Sequence, residues 1–278
     1  MTYMTAIDPA LAGVTPIALT TPKTMIVVPC YNEANRLNAT AFLDILAVNP
    51  SLSFVFVNDG SRDATFQRLQ TMQVANRAQI EVINLRQNAG KAEAVRAGLH
   101  FATDSGADFV GYWDADLATP LNAIADFVGV MDRYADLTVV YGARRQLLGH
   151  RINRTMSRRA ISRICAALAR VAVGLPIGDT QCGAKLLRNT PAVKAAIAEP
   201  FAAGWLFDVE LFTRIARAVA QPTTRFYEFP LAEWEEVGGS KVSRKAIARA
   251  GVQMLRLIAQ RFVGRADRAT ALLPAEAI

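Results

Sequence analysis

The sequence predicts an α/β protein whose core is a doubly wound, mostly parallel sheet. Strand-like and helix-like segments alternate five times between residues 25 and 142. The strand-like segments are almost continuously apolar, which is typical of strands covered by helices on both faces. Polar and acidic residues follow several of these strands directly, at the edge where such sheets bind their ligands.

Each predicted strand of the first half is a short apolar run bounded by polar or turn residues. The strands are predicted at 25–30, 52–58, 80–85, 109–113 and 137–142. The segments between them carry apolar residues at helical spacing. They predict helices at 33–48, 62–76, 90–102 and 120–134.

The second half of the chain is less regular. Its apolar spacing predicts helices at 152–173, 207–219 and 242–263, and a strand at 224–229. We therefore expect three parts along the chain. They are a flexible tail at 1–23, one α/β domain at 24–245, and a basic amphipathic helix and tail at 246–278.

The composition excludes several classes of protein. The chain has 278 residues, of which 52% are hydrophobic, enough for one large domain. Three widely spaced cysteines predict neither a disulfide framework nor a zinc cluster, and they fit a reducing compartment such as the cytoplasm. Two histidines are too few for a His-rich metal site, and no apolar run of about 18 residues predicts a membrane-spanning helix.

The positive charge is concentrated in one segment. The formal net charge is +7, and residues 137–178 contain eight arginines and no Asp or Glu. These are Arg144, Arg145, Arg151, Arg154, Arg158, Arg159, Arg163 and Arg170. A local excess of this kind indicates an anionic ligand or surface.

The predicted helices at 152–173 and 242–263 are both basic and amphipathic. Such a helix can lie in a membrane interface, where anionic headgroups attract each Lys or Arg by about 1 kcal/mol. The alternative is an ordinary helix that packs on the core and turns a basic face to solvent. We expect a peripheral membrane surface as a partner, reached from the cytoplasm at the inner face of the membrane.

Two carboxylates, Asp114 and Asp116, follow the predicted strand at 109–113. Carboxylates one residue apart at a strand end can hold one hard cation such as Mg²⁺ or Mn²⁺, which takes its other oxygen ligands from water or a substrate diphosphate. We predict Asp114 and Asp116 as the metal ligands. An acidic turn without a metal is the competing interpretation.

Two common nucleotide motifs are missing. The sequence has no Gly-x-Gly-x-x-Gly after the first strand, and no Gly-x-x-x-x-Gly-Lys-Ser/Thr. Carboxylates stand in these places instead, because Glu33 follows the first strand and Asp59 the second. They can accept hydrogen bonds from a ribose or a base, or they can cap helices and turns.

Four motifs follow one another in the first half of the chain: VPCYNE at 28–33, VNDGSRDAT at 57–65, NAGK at 88–91 and DAD at 114–116. In this order they resemble the motifs of family-2 glycosyltransferases, which have the GT-A fold. Three later motifs resemble the dolichyl-phosphate β-glucosyltransferase branch, and dolichyl-phosphate mannose synthases somewhat less. They are DTQCGAK at 179–185, WLFDVE at 205–210 and a tryptophan-led segment at 234–241.

The resemblance implies a nucleotide-sugar half at 24–142 and an acceptor half at 143–245. Residues of the first half would bind the donor. They are Pro29, Tyr31, Glu33, Asp59, Lys91, Asp114, Ala115 and Asp116. Residues of the second half would line the sugar, acceptor and diphosphate. They are Arg144, Arg158, Asp179, Gln181, Trp205, Asp208, Glu210, Ser240 and Lys241.

The expected reaction is inverting transfer of a hexose to a polyprenyl phosphate, with UDP-glucose as the favoured donor. An acceptor phosphate is already anionic, so positioning by arginine and neutralisation by the metal would supply most of the catalysis. A hydroxyl acceptor would need a base, for which Asp208 is the first candidate and Glu210 the second.

Several alternatives remain open on the sequence. The donor could be GDP-mannose, or the acceptor a soluble hydroxyl compound. A nucleic-acid-binding protein is disfavoured because the basic segment lacks interleaved aromatic residues, so we expect no nucleic-acid partner. A non-catalytic module of the same fold is disfavoured by Asp114 and Asp116.

Overall fold

The computed structural model describes residues 21–153, 156–236 and 251–259, with the side chains of 156–164 left out of the description. Seven strands of these residues form one sheet, in the order β3-β2-β1-β4-β7-β5-β8. They are β1 Thr24–Cys30, β2 Leu52–Asp59, β3 Ile80–Leu85, β4 Phe109–Trp113, β5 Val139–Ala143, β7 Ala184–Arg188 and β8 Phe226–Pro230. A separate parallel pair joins β6 Arg151–Asn153 to β9 Glu233–Glu235.

Every strand of the main sheet except β7 runs in the same direction. β1 pairs in parallel with both β2 and β4, whereas β7 is antiparallel to β4 and to β5. The predicted fold class, a mostly parallel α/β sheet of the GT-A type, is therefore confirmed. The antiparallel β7 between β4 and β5 was not predicted, because a short buried segment that contains a lysine does not look like a strand.

Helices cover both faces of the sheet. The α-helices with both ends in the described residues are α1 Ala39–Val48, α2 Thr65–Ala75, α3 Lys91–Asp104, α4 Ala123–Arg133, α5 Met156–Val173, α6 Pro191–Ala198 and α7 Phe207–Ala218. One core layer packs α1, α2 and α4 on Ile26, Val28 and their neighbours. The other packs α3, α6, α7 and a helical segment at 251–259 on Val27 and its neighbours.

The predicted helix at 33–48 was too long, since α1 begins only at Ala39. Residues 33–37 form a turn, and the Glu33 N–H donates to Thr65 Oγ1 at 2.8 Å, which ties this turn to the start of α2. Asn38 caps α1 by accepting from the Ala41 N–H. The predicted helix at 152–173 also began too early, because Ile152 lies in β6.

The apolar face expected on α5 is only partly buried. Ala166, Ala169 and Ala172 pack inward, whereas Leu168 and Val171 are exposed. Of the helix predicted at 242–263, residues 251–259 are helical and the rest lies outside the described residues. No helix among the described residues combines the length and the apolar character that a membrane crossing needs.

Candidate active site

A cleft of about 430 Å³ opens at the carboxyl ends of β1 and β4, where the strand order reverses. All eight residues that the resemblance assigned to the donor line it. They are Pro29, Tyr31, Glu33, Asp59, Lys91, Asp114, Ala115 and Asp116. Asn88, Gly90, Ala94 and Cys30 complete the lining. Segments far apart in sequence therefore meet here, because the carboxyl ends of parallel strands share one edge.

Asp114 and Asp116 lie at the end of β4. The Asp114 N–H donates to the Gly183 carbonyl at 2.9 Å, and Asp114 Oδ1 lies 2.5 Å from Lys91 Nζ. Asp116 accepts a hydrogen bond from the Ala118 N–H at 3.1 Å. Burial and the nearby Asp114 charge raise the pKa of Asp116. Additional positive charge here would stabilise both carboxylates.

The donor set fits a hard divalent cation. Asp114 already attracts one cation, the Lys91 ammonium group, and carboxylate oxygens are what Mg²⁺ and Mn²⁺ prefer. Within the described ranges, no cluster of three or more His, Cys, Asp and Glu side chains could hold a metal ion. Asp114 and Asp116 could supply two carboxylate ligands, and a cation held there would take its other ligands from water or substrate oxygens.

Lys91 is the first residue of α3 and faces the two acidic side chains from across the cleft. Burial of the amine opposes its charge, but Asp114 and, next in strength, Asp208 outweigh burial and raise the pKa of Lys91. Lys91 is therefore cationic at neutral pH. A divalent cation and Lys91 would compete for the same Asp114 carboxylate.

Asp59 has a structural role beside the one predicted for it. Its buried carboxylate accepts from Asn88 Nδ2 at 2.9 Å and from the Ala89 and Gly90 N–H groups at 2.7 and 2.9 Å. These bonds hold the loop that leads into Lys91. Gly60 is needed for the close approach, because a Cβ there would lie 2.4 Å from Asn88 N, and its φ of +60° favours glycine.

Glu33 is likewise engaged within the protein. Its carboxylate accepts from Arg36 Nε at 2.9 Å and Nη2 at 2.5 Å. The preceding residue, Asn32, has a φ of +54° and links the first loop to the second, since its N–H donates to Ser61 Oγ at 3.0 Å. The loops after β1 and β2 therefore form one connected wall of the cleft.

Gly183, the residue before β7, lies directly against Asp114. Asp114 packs so closely on Gly183 that a Cβ at residue 183 would lie 1.9 Å from Asp114 Oδ2. Sequence reasoning did not single out Gly183, Asn88 or Gly90 as site residues. Each of the three is a glycine or an asparagine within one of the family motifs. The motif alone does not show which neighbouring atom lies against it.

Lys185, which lies on β7, was not predicted as a site residue. It is completely buried, and its Nζ donates to the Cys182 carbonyl at 2.6 Å and lies 2.9 Å from Asp208 Oδ1. The ammonium group also faces the rings of Tyr112 and Phe212. Burial lowers the pKa of Lys185 to about 7 and raises that of Asp208 to about 8. Burial therefore disfavours the charged form of each side chain, and the pairing opposes this effect.

Both predicted base candidates are committed to internal partners. Asp208 is paired with Lys185, and Glu210 accepts from the Ala203 N–H at 2.8 Å and from Arg214 Nη2 at 2.6 Å. Both carboxylates are buried, and neither lines the cleft. This arrangement suits structural support better than proton abstraction from a bound hydroxyl group.

Arg144 and Asp179 form a buried bidentate ion pair. Nε and Nη2 of Arg144 donate to the two carboxylate oxygens at 2.7 and 2.8 Å, and the guanidinium lies 5.2 Å from the Trp234 ring centre. Burial opposes the charge of Arg144, but Asp179 outweighs burial and raises its pKa. The pair connects β5 to the segment before β7.

The remaining acceptor-side predictions are only partly described. Trp205 is half-exposed in a 3-10 turn just before α7, and Gln181 is half-buried beside Asp179, to which its N–H donates. The side chain of Arg158 is outside the described part of α5, and Ser240 and Lys241 lie outside the described residues. Their predicted roles remain predictions.

Comparisons with known proteins place this cleft in context. The family model for Glycosyl transferase family 2 matches residues 25–192. A dolichyl-phosphate beta-glucosyltransferase of Trichomonas vaginalis is 31% identical over 250 residues, which cover 84% of this chain and 70% of the relative. A polyprenol monophosphomannose synthase of Mycolicibacterium smegmatis is 25% identical over 252 residues, covering 90% and 91% of the two chains.

A solved structure shares the fold. It is glucosyl-3-phosphoglycerate synthase from Mycobacterium tuberculosis, crystallised with Mn²⁺, UDP-glucose and phosphoglyceric acid. The TM-score is 0.59 at 17% sequence identity, and the match covers 88% of this chain and 81% of the other. At this identity the likeness shows the architecture alone.

Proposed function

Because this chain belongs to glycosyl transferase family 2, we propose that it transfers a hexose from a nucleotide-sugar to a polyprenyl phosphate at a membrane surface, with inversion at the anomeric carbon. The observation that carries the proposal is the meeting of Asp114, Asp116 and Lys91 in the cleft at the ends of β1 and β4. We favour UDP-glucose as donor, because one relative is a dolichyl-phosphate beta-glucosyltransferase and one structural neighbour was crystallised with UDP-glucose.

On the donor side, charge is the main requirement of the reaction. Asp114 and Asp116 would hold Mg²⁺ or Mn²⁺, which supplies Lewis-acid neutralisation of the departing diphosphate when bound. Lys91, released from Asp114, would contribute a second positive charge in the same cleft. The wall formed by Tyr31, Glu33 and the Asp59-supported loop would receive the nucleoside.

On the acceptor side, the internal pairing of Asp208 and Glu210 supports a phosphate acceptor. A hydroxyl acceptor must lose a proton to a base within hydrogen-bond reach, and these two candidates are turned into the core. A phosphate acceptor needs no base, because its oxygen is already anionic. The arginine-rich segment after β5 would attract it, with Arg144 and Arg158 as the proposed contacts. The resemblance assigns Asp179, Gln181 and Trp205 to the same side of the reaction.

A second donor has a specific observation in its favour. The polyprenol monophosphomannose synthase covers this chain almost completely, although at lower identity than the glucosyltransferase. GDP-mannose is therefore the alternative donor. In either case we expect the enzyme to act from the cytoplasm on the inner face of a membrane.

The test is a donor panel with the purified full chain. UDP-glucose and GDP-mannose, each labelled in the sugar, are incubated with a short polyprenyl phosphate or with a soluble hydroxyl acceptor, with Mn²⁺ or with EDTA. We expect label from UDP-glucose to enter the organic phase only when the polyprenyl phosphate and the metal are both present.

The other outcomes are equally informative. Label that enters only the soluble acceptor would overturn the lipid assignment, and label from GDP-mannose alone would overturn the glucose assignment. Unchanged transfer in EDTA would refute the roles given to Asp114 and Asp116.

Gly183→Ala tests how Gly183 makes room for Asp114. The new methyl group would lie 1.9 Å from Asp114 Oδ2, so the carboxylate must move. A misplacement of about 1 Å in an active site costs about a hundred-fold in rate. We expect the fall in kcat/KM together with weaker Mn²⁺ binding, measured by titration calorimetry without donor.

Gly129→Ala is the matched control. A Cβ at residue 129, in α4, would meet no atom within 4 Å, and alanine favours a helix more than glycine by about 1 kcal/mol. It should leave activity unchanged and slightly raise the melting temperature. Equal activity in the two variants would refute the supporting role of Gly183.

A further inference from the structure

Two leucines stand out on the loop between β5 and β6. Leu148 is fully exposed and Leu147 is about half-exposed (47%), although both are large apolar side chains. The loop turns at Gly149, whose φ is +83° and around which a Cβ would meet no atom within 4 Å. The tip of the loop is therefore an apolar pair that projects from the protein surface.

Both ends of this loop are anchored. On one side Arg144 pairs with Asp179 and Arg145 Nη2 donates to Glu228 Oε2 at 2.6 Å. On the other, His150 Nδ1 bonds the Leu231 carbonyl at 2.8 Å, and the Arg151 N–H donates to the Ala232 carbonyl at 2.8 Å. These contacts hold both ends of the loop, so Leu147 and Leu148 are exposed at a fixed place on the protein surface.

The position and charge of the loop indicate what it contacts. β5 runs parallel to β1 and β4, so the loop leaves the sheet at the same edge as the cleft. It lies within the segment 137–178, which has eight arginines and no acidic residue. The exposed Arg145 and Arg151 flank the apolar tip along the chain, and they also pair with Glu228 and Glu233. Apolar side chains flanked by basic ones complement the interface of an anionic bilayer.

We propose that Leu147 and Leu148 insert into the headgroup region of an anionic membrane and so hold the cleft against the bilayer that carries the acceptor. The inference rests on the proposed function for the identity of the acceptor, but membrane insertion can be measured without any turnover. The occupant is the lipid surface, and no second protein is required.

The experiment compares three full-length proteins in a vesicle sedimentation assay. They are the wild type, Leu147→Ser/Leu148→Ser, and the control Val48→Ser/Val74→Ser, which replaces two other exposed apolar residues on α1 and α2. Vesicles contain phosphatidylcholine alone or with phosphatidylglycerol. We expect wild type and control to bind the phosphatidylglycerol vesicles alike, and the loop variant at least about ten-fold more weakly.

Activity separates this inference from the proposed function. With a short-chain acceptor dissolved in detergent, the loop variant should match the wild type, and with a long-chain acceptor in vesicles it should be slower. Equal vesicle binding by all three proteins would overturn the insertion and leave the function standing. If the loop variant loses vesicle binding but the wild type transfers no sugar to any lipid, the insertion is supported and the proposed function is rejected.

A competing occupant would be recognised in solution. If Leu147 and Leu148 instead join two copies of the chain, the wild type should be a dimer without vesicles and the loop variant a monomer. Such a change in mass, measured by light scattering, would overturn the membrane assignment.

Discussion

Asp116→Asn is expected to lower transfer by about three orders of magnitude while the protein stays folded. The substitution keeps the shape of the side chain and its hydrogen bond to the Ala118 N–H, and it removes one of two carboxylate charges in the cleft. Loss of charge neutralisation at a departing diphosphate is equivalent to several kcal/mol of the activation barrier, and each tenfold in rate corresponds to about 1.4 kcal/mol. The measurement is kcat/KM for UDP-glucose with saturating Mn²⁺.

Melting temperature and Mn²⁺ binding show whether Asp116→Asn loses activity through a lost metal ligand and not through unfolding. Because burial and Asp114 both disfavour the Asp116 charge, the folded protein should become slightly more stable when residue 116 is neutral. The melting temperature should therefore be equal or higher, whereas Mn²⁺ binding without donor should weaken. Asp126→Asn, an exposed acidic residue on α4, is the control and should change neither. Near-normal turnover by Asp116→Asn would refute the metal assignment.

The second large effect is expected at the buried pair of Lys185 and Asp208. Removing one partner leaves the other charge buried without compensation, which lowers the free energy of unfolding by about 3–5 kcal/mol. Lys185→Met and Asp208→Asn should therefore both melt far below the wild type, although neither residue lines the cleft. Lys194→Met and Asp104→Asn, which break an exposed ion pair, should each change stability by less than about 1 kcal/mol.

The two variants should respond to pH in opposite directions. In Asp208→Asn the buried Lys185 has a lowered pKa, so the unfolded chain binds more protons between about pH 7 and pH 10 and stability rises with pH in that range. In Lys185→Met the buried Asp208 has a raised pKa, so the folded chain binds more protons between about pH 4 and pH 8 and stability falls as pH rises.

Urea unfolding at pH 5, 7 and 9 measures these slopes. The wild type, in which both partners are present, is the reference for these slopes. Parallel slopes in the two variants would contradict the pairing. A double variant, Lys185→Met/Asp208→Leu, should recover part of the lost stability, because it removes both buried charges together.

Sequence reasoning predicted most of the residues that meet in the cleft, while their role in donor binding stays a prediction. Tyr31, Asp59, Lys91 and Asp114 each follow an apolar strand or begin the helix after it, and local periodicity reveals both. Because parallel strands share one carboxyl edge, predicting the strands also predicted that these side chains meet. The family motifs then indicated which chemistry the meeting point would serve.

The acceptor side could not be predicted in the same way. Asp208 and Glu210 were predicted as bases only for a hydroxyl acceptor, from their place in a motif, and local spacing does not reveal their partners Lys185 and Arg214. Whether a carboxylate is free or paired depends on which residues fold against it. That information is absent from local spacing, since Arg144 and Asp179, for example, are 35 residues apart.

The sequence by itself determined the class of the sheet, the positions of its first five strands along the chain and the edge at which their polar residues meet, because hydrophobic periodicity and turn residues act over a few positions. Only the tertiary structure decided that β7 enters the sheet in the opposite direction, that Gly183 makes room for Asp114, and that Lys185 neutralises Asp208. These features depend on contacts between residues distant along the chain, whose energies of burial and charge exist only once the strands are assembled.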